Sequence, residues 1–184
     1  MQAGASGLAS VGIPMANAFG LRVITSVLDE EKARSIQHLN ADRIIVSAKE
    51  DAEQVLREEL EAGHGVDIAI DCLGSDMMGR CLPYMERGGR WIMIATLAGD
   101  TSVVNMKEMY KRSLRLIGNT LRARTPQMKA EILAKLVRDV WPMVEAGKIA
   151  PTVYRVLPIE QAEEAHAILM RGENVGKVVL TVSH

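Results

Sequence analysis

Apolar and polar positions along this chain switch repeatedly between two periods. "LRVITSV" (21–27), "DRIIVS" (42–47), "VDIAIDCLG" (66–74), "RWIMIATL" (90–97) and "LRLIGNTL" (114–121) are short runs of β-branched and apolar residues, and they predict strands. Between them lie "DEEKARSIQHL" (29–39), capped by Asp29, the charged amphipathic "EDAEQVLREELEAG" (50–63), and "MMGRCLPYMERGG" (77–89). These predict helices, the last bent or shortened by Pro83. The 66–74 run is almost continuously apolar, as expected of a strand covered by helices on both faces. Strands alternating with helices at this spacing predict an α/β fold with a doubly wound parallel sheet of the Rossmann type.

The last third changes character. Thr125-Pro126 reads as a helix cap followed by proline at the first helical position. Met128, Ile132, Leu136, Val140 and Val144 then recur every four residues, Pro142 should kink the helix near its end, and Gly147 closes it. A strand (151–157), a helix (158–172) and a strand (176–183) make a C-terminal β-α-β tail. The tail has too little material for a core of its own and is expected to pack onto something else. Two parts are therefore expected, an α/β domain over 1–150 and a C-terminal segment over 151–184.

Charge narrows the partners. The net charge is −1, so nothing points to nucleic acid or to an anionic membrane. No apolar run approaches the ~18 residues of a membrane span, and no basic segment leads into an apolar one at the start, so a cytoplasmic protein is expected. Cys72 and Cys81 form no CxxC and have no histidine nearby, which argues against both a disulfide framework and a zinc site. His38, His64, His166 and His184 stand singly, and Glu30-Glu31 and Glu163-Glu164 read as exposed helix faces. Gly4-x-Ser6-Gly7 is followed by Leu8, so it is not a nucleophile elbow.

The chemistry-bearing stretch is Gly4-Ala5-Ser6-Gly7-Leu8-Ala9. Small residues there let a backbone turn approach a pyrophosphate held at the positive end of the next helix; the same residues also suit a tight turn with no ligand. Pro14 sits awkwardly inside that helix. The preceding strand would ordinarily need about five residues, and only Met1, Gln2 and Ala3 are present. Asp29 lies where an acid would accept hydrogen bonds from an adenosine ribose, and also where a helix needs a cap; Lys32 follows one turn later. Leu73 and Gly74, then Thr96 and Leu97, then Thr120, Leu121 and Arg122 end successive strands, the edge at which ligands bind in such sheets. Arg122 and Arg124 could bind phosphate or carboxylate, although Arg124 suits a solvated loop.

Taken together, "AGASG", "FGLRVI", "GHGVDIAIDCLG", "RGGRWIMIATLAG", "RSLRLIGNTLRAR" and "EAHAILMRGENVGKVVL" resemble, in order and spacing, the medium-chain dehydrogenase/reductase superfamily. The resemblance is to its zinc-independent quinone oxidoreductase branch and runs from residue 2 to about 181. It implies NADPH or NADH as cofactor, no zinc, and hydride transfer to a quinone or an electron-poor alkene or carbonyl. It places Gly4, Ser6, Gly7, Leu8 and Ala9 at the pyrophosphate and Asp29 and Lys32 near the adenosine ribose. Leu73, Gly74, Thr96, Leu97, Thr120, Leu121 and Arg122 would run along the cofactor toward its nicotinamide. No catalytic acid or base is assigned. It also implies a homodimer through the 115–121 edge, a dinucleotide-binding domain over 1–150 that begins inside its first strand, and a 151–184 segment that would return to a GroES-like catalytic domain missing from this sequence. Asp29 stands where the family usually has serine, Ser47 where it has tyrosine, and Leu8-Ala9 where it has Val-Gly, which leaves NADP against NAD open. Two other readings are carried: an S-adenosylmethionine methyltransferase, and a cofactor-binding or interaction fragment without turnover.

Overall fold

The computed structural model describes residues 1–182. Ser183, the end of the expected last strand, and His184 lie outside the described residues. A turn over residues 4–8 enters α1 (Ala9–Ala18), followed by β1 (Ile24–Val27), α2 (Glu30–Ser35), β2 (Arg43–Val46) and α3 (Ala52–Glu61). Then come β3 (Val66–Asp71), α4 (Asp76–Cys81), β4 (Met85–Met93), α5 (Met106–Lys111) and β5 (Arg115–Gly118). The last third holds α6 (Pro126–Asp139), α7 (Trp141–Glu145), β6 (Val153–Pro158), α8 (Ala162–Met170) and β7 (Lys177–Thr181).

All strand pairing is parallel, but the sheet is in pieces: β1 with β2, β3-β4-β5, and β6 with β7. The first two are joined by the residues before the turn. The Met1 amino group donates to the Ile24 carbonyl at 2.7 Å and Gly4 N–H to Ser26 at 2.7 Å, while Gln2 N–H donates to Ile70 of β3 at 3.3 Å. Met1 to Gly4 thus occupy one end of a strand position between β1 and β3.

Local signals explain most element starts. The Asp29 carboxylate accepts Lys32 N–H at 2.8 Å and caps α2; Thr125 Oγ1 accepts Met128 N–H at 3.2 Å and caps α6, with Pro126 next. Pro14 stands inside α1 without ending it. Other expectations are corrected. The 77–89 helix stops at Cys81, with a 3-10 turn over Leu82–Tyr84, because Pro83 has no N–H to continue the ladder. Met85–Met93 is instead a strand, whose Met85 pairs with Val66 and whose end falls short of Ile94–Leu97. The last strand of the β3 sheet stops at Gly118, so Thr120 and Leu121 lie in a loop. Val140 separates two helices rather than lying on one, and Pro142 sits in the first turn of α7.

Two clusters make the main core. Ile13, Val23, Val27, Ile36 and Leu39 pack together beside β1 and β2. Cys81, Leu82, Met85, Trp91 and Leu114 pack beside the β3 sheet. The tail, contrary to expectation, has a small core: Leu157, Ala165 and Ile168 against Val178 and Leu180. One face of β6 and β7 is covered by α8, and Val153, Val156 and Val179 remain exposed on the strands. The α6 stripe is likewise uncovered, and that helix buries no residue.

Candidate functional site

The candidate residues stand at the starts of α1 and α2 and in the turns and loops that follow β3, β4 and β5. Gly4 is buried so tightly that a Cβ would lie 2.6 Å from Thr25 Oγ1 and 2.9 Å from Ile36 Cδ1. Packing on β1 therefore demands glycine there, whether or not a ligand binds. Ser6 Oγ accepts Ala9 N–H at 3.1 Å and closes the first turn of α1. The amides of Gly7 and Leu8 donate to no protein acceptor among the described residues. Two free N–H groups at the positive end of a ten-residue helix form an anion seat.

A residue that sequence reasoning missed completes this seat. Gly176 N–H donates to Ala5 O at 2.9 Å and brings the tail onto the turn. Lys177 then lies directly over Gly7: a Cβ on that glycine would be 2.6 Å from Lys177 Cδ and 2.8 Å from its Nζ. The only local signal was a glycine–lysine pair opening a strand. Lys32 also reaches the tail, with its ammonium donating to the carbonyls of Glu173 at 2.8 Å and Asn174 at 3.1 Å. Asp29 serves as the α2 cap through Oδ1.

At the end of β3 the chain turns around Asp71. This carboxyl group is fully buried. Oδ1 accepts the N–H groups of Leu73 and Gly74, each at 2.8 Å, and Oδ2 accepts Trp91 Nε1–H at 2.8 Å. Gly74 has φ of +66°, and a Cβ there would collide with the Gly99 carbonyl. Leu97 N–H donates to Cys72 O at 3.1 Å, Ala98 N–H to Leu73 O at 2.8 Å, and Ser75 N–H to Gly99 O at 2.9 Å. Leu73-Gly74 and Thr96-Leu97 are thereby held against each other, with Leu97 80% exposed and the Thr96 hydroxyl donating to Asp100 at 2.5 Å. An aspartate two residues before a glycine-ended turn was the available signal for this arrangement. Thr120, Leu121 and Arg122 lie in the loop after β5, with Leu121 59% exposed; no hydrogen bond links them to Leu97 among the described residues. Arg124 donates to Asn119 Oδ1 at 2.7 Å.

Neither cysteine is set up as a nucleophile. Burial, then the neighbouring Asp71, raises the Cys72 thiol, and burial pushes Cys81 up to about 12. Among the described residues no group of three or more His, Cys, Asp or Glu is placed to hold a metal ion. No helix among them is long and apolar enough to cross a membrane. The arrangement offers an anion seat at one end and, beyond the ends of β4 and β5, the exposed side chains of Leu97 and Leu121.

Comparison with known proteins gives this edge a lineage. The family model described as zinc-binding dehydrogenase matches residues 39–180. A 2-haloacrylate reductase of Burkholderia sp is 25% identical over 181 residues, covering 98% of this chain and 54% of that protein. A solved mycobacterial quinone oxidoreductase shares 26% identity with a TM-score of 0.80, over 98% of this chain and 55% of that one. A mycobacterial structure complexed with NADPH shares 26% identity with a TM-score of 0.78, over 98% and 56%. The chain spans about half the length of the curated relatives it matches. With its Rossmann-type parallel strands and a family match across most of its length, the chain belongs to the zinc-binding dehydrogenase family and corresponds to the nucleotide-binding portion of its medium-chain, quinone oxidoreductase-like members.

Proposed function

We propose that this chain is the cofactor-binding part of an NAD(P)H-dependent oxidoreductase that reduces a quinone or an electron-poor alkene or carbonyl. The observation that carries the reading is the pair of free amides at Gly7 and Leu8 under the Lys177 ammonium. Oriented N–H groups and a lysine suit a pyrophosphate. When bound, the nicotinamide supplies the hydride chemistry. The protein's part is to hold and orient it: residues 1–150 form the bed, and the 151–184 segment lays Lys177 across it. Half-buried Leu73, exposed Thr96 and Leu97, and the buried Gly74 between them give a rim for the rest of the cofactor, and Thr120, Leu121 and Arg122 extend it. Relatives named as a 2-haloacrylate reductase and a quinone oxidoreductase support an activated double bond as hydride acceptor. Family membership sets the methyltransferase reading aside. Two free cysteines, Cys72 and Cys81, suit a reducing cytoplasm.

Fluorescence titration with NADPH and NADH tests the reading. Saturable binding is expected. Lys177→Ala should weaken both cofactors about ten- to a hundredfold, since a hydrogen bond to a charged group contributes ~1.5–3 kcal/mol. Unchanged affinity would remove Lys177 from the site. The same titration tests Asp29. One charge pair at 4 Å costs about 1 kcal/mol in water, so Asp29→Ser should move the affinity ratio about fivefold toward NADPH. A fixed ratio would leave Asp29 as a helix cap alone. The competing reading is a cofactor-binding or interaction fragment without turnover. Cofactor binding with no oxidation of NADPH by a simple quinone would support it.

We also propose a homodimer through the β5 edge at 115–121. This strand is the outer one of its sheet, and all four of its residues are exposed. Exposed edges recruit strands. Light scattering at tens of micromolar should give twice the 20.1 kDa chain mass, and a monomer would reject it.

A further inference from the structure

The resemblance puts Lys32 beside the adenosine ribose, but its ammonium is held by the tail. The Lys32 N–H donates to Asp29 Oδ1 at 2.8 Å, which fixes the residue in the first turn of α2. Its half-buried side chain reaches to the far end of the chain: Nζ donates to Glu173 O at 2.8 Å and to Asn174 O at 3.1 Å. Neither carbonyl accepts from any other group among the described residues. The loop so fastened is tied on both sides. Arg171 joins the Glu173 carboxylate to Glu164 of α8. Asn174 Nδ2 donates to Gly176 O at 2.9 Å, and Gly176 N–H donates to Ala5 O at 2.9 Å. Val175 packs on the cluster that holds Ile13, Val23 and Ile36. The residue after Gly176 is Lys177, whose stem and ammonium cover Gly7.

We propose that Lys32 is a positioning residue: its ammonium fastens the 173–176 loop, and the loop keeps Lys177 over Gly7. Lys32 then serves the pyrophosphate common to NADH and NADPH, through Lys177, and does not read the ribose 2′-phosphate that separates them. The inference rests on the cofactor reading above. Two observations decide the role. Two of the three N–H donors of the ammonium are occupied by carbonyls 141 and 142 positions away, so turning it onto a phosphate would release the loop. The fastened carbonyls belong to residues four and three positions before Lys177, and the side chains of Asn174 and Val175 are themselves bonded or packed, so a shift there passes to the Lys177 stem. Discrimination at the ribose is left to Asp29, whose carboxylate stands in the same turn and repels a 2′-phosphate.

A double-mutant cycle with both cofactors tests this. Lys32→Met keeps the apolar stem and removes only the ammonium. It should weaken NADH and NADPH by the same factor, about fivefold, because the lost bonds are charge-assisted but act at one remove. In the Lys177→Ala background the same change should add less than about twofold, since the residue it positions is gone. Lys32→Arg, which can still donate to both carbonyls, should recover most of the affinity. Amide exchange at Gly176, measured without cofactor, should quicken about fivefold in Lys32→Met and stay unchanged in Lys177→Ala. A loss confined to NADPH would make Lys32 a direct reader of the 2′-phosphate and overturn the proposal. An equal loss in both backgrounds would reduce it to a general structural contact, and unchanged exchange at Gly176 would show that it fastens nothing; either overturns it. In each of these cases the parent chain still binds cofactor, so the reading of the site stands. A parent chain that binds neither NADH nor NADPH would instead strike that reading, and this inference with it.

Discussion

Asp71→Ala lowers the unfolding free energy by about 4 kcal/mol, the largest single-residue effect expected outside the apolar core. Asp71 is fully buried, and its oxygens accept three hydrogen bonds, from Leu73 N–H, Gly74 N–H and the Trp91 indole. Alanine strands these donors where water is scarce, and each unsatisfied buried donor costs ~1–3 kcal/mol. Part of the sum is recovered when the Leu73–Gly74 turn relaxes outward. That relaxation spreads to the segment after β4, because the same turn is held against Leu97 and Ala98. Asp71→Asn keeps one acceptor for Leu73 and Gly74 but points an amide donor at the indole, so about half the loss is expected. Trp91→Phe removes one donor and should cost about 1 kcal/mol from the hydrogen bond. Urea denaturation of the three variants checks the order. An Asp71→Ala loss below about 1 kcal/mol would show that the turn holds without its carboxyl group.

For a polypeptide consisting of the 184 residues alone, stability falls as pH drops from 8 to 6. The Met1 amino group is buried against Ile24 O, and burial lowers it from 8.0 to about 6; the opposing pull of Cys72 is smaller. Between those values the unfolded chain binds a proton that the folded chain refuses, so stability rises with pH across this window. Below about 6 both forms are charged and the contribution is flat; above 8 both are neutral. The interval corresponds to about 2.7 kcal/mol at most. Melting temperature measured at pH 6, 7 and 8 should climb, and acetylation of the amino group should abolish the climb. A slope that survives acetylation would show that the Met1 amino group does not carry it.

Where a fold signal is local, the sequence carried it. Asp29 and Thr125 were readable as caps because each needs only its own next three residues, and both hold as caps. The apolar 66–71 run was readable as a covered strand because its composition allows little else. Met85-Glu86-Arg87 was not readable: these are good helix formers, and they become strand because Val66 pairs with Met85 and Arg112 donates to its carbonyl at 2.8 Å. The tail's own small core depends on Ala165 and Ile168 meeting Val178 and Leu180, which composition does not show. Lys177 was invisible for a different reason. Nothing within ten residues of it bears on a phosphate, and its place over Gly7 exists only after the tail has crossed the molecule.

That crossing sets an order of events in time. Lys32 meets Glu173 and Asn174 across separations of 141 and 142 positions, and Gly176 meets Ala5 across nearly the whole chain. Contacts that close such long loops form late, after the local helices and neighbouring strands have paid their own ordering entropy. The turn around Gly7 can therefore be shaped early, while the lysine above it arrives last. During synthesis, the anion seat at Gly7 and Leu8 stays one charge short until Lys177 has left the ribosome's exit tunnel. Until then an anion arriving at the turn would meet only the two backbone amides.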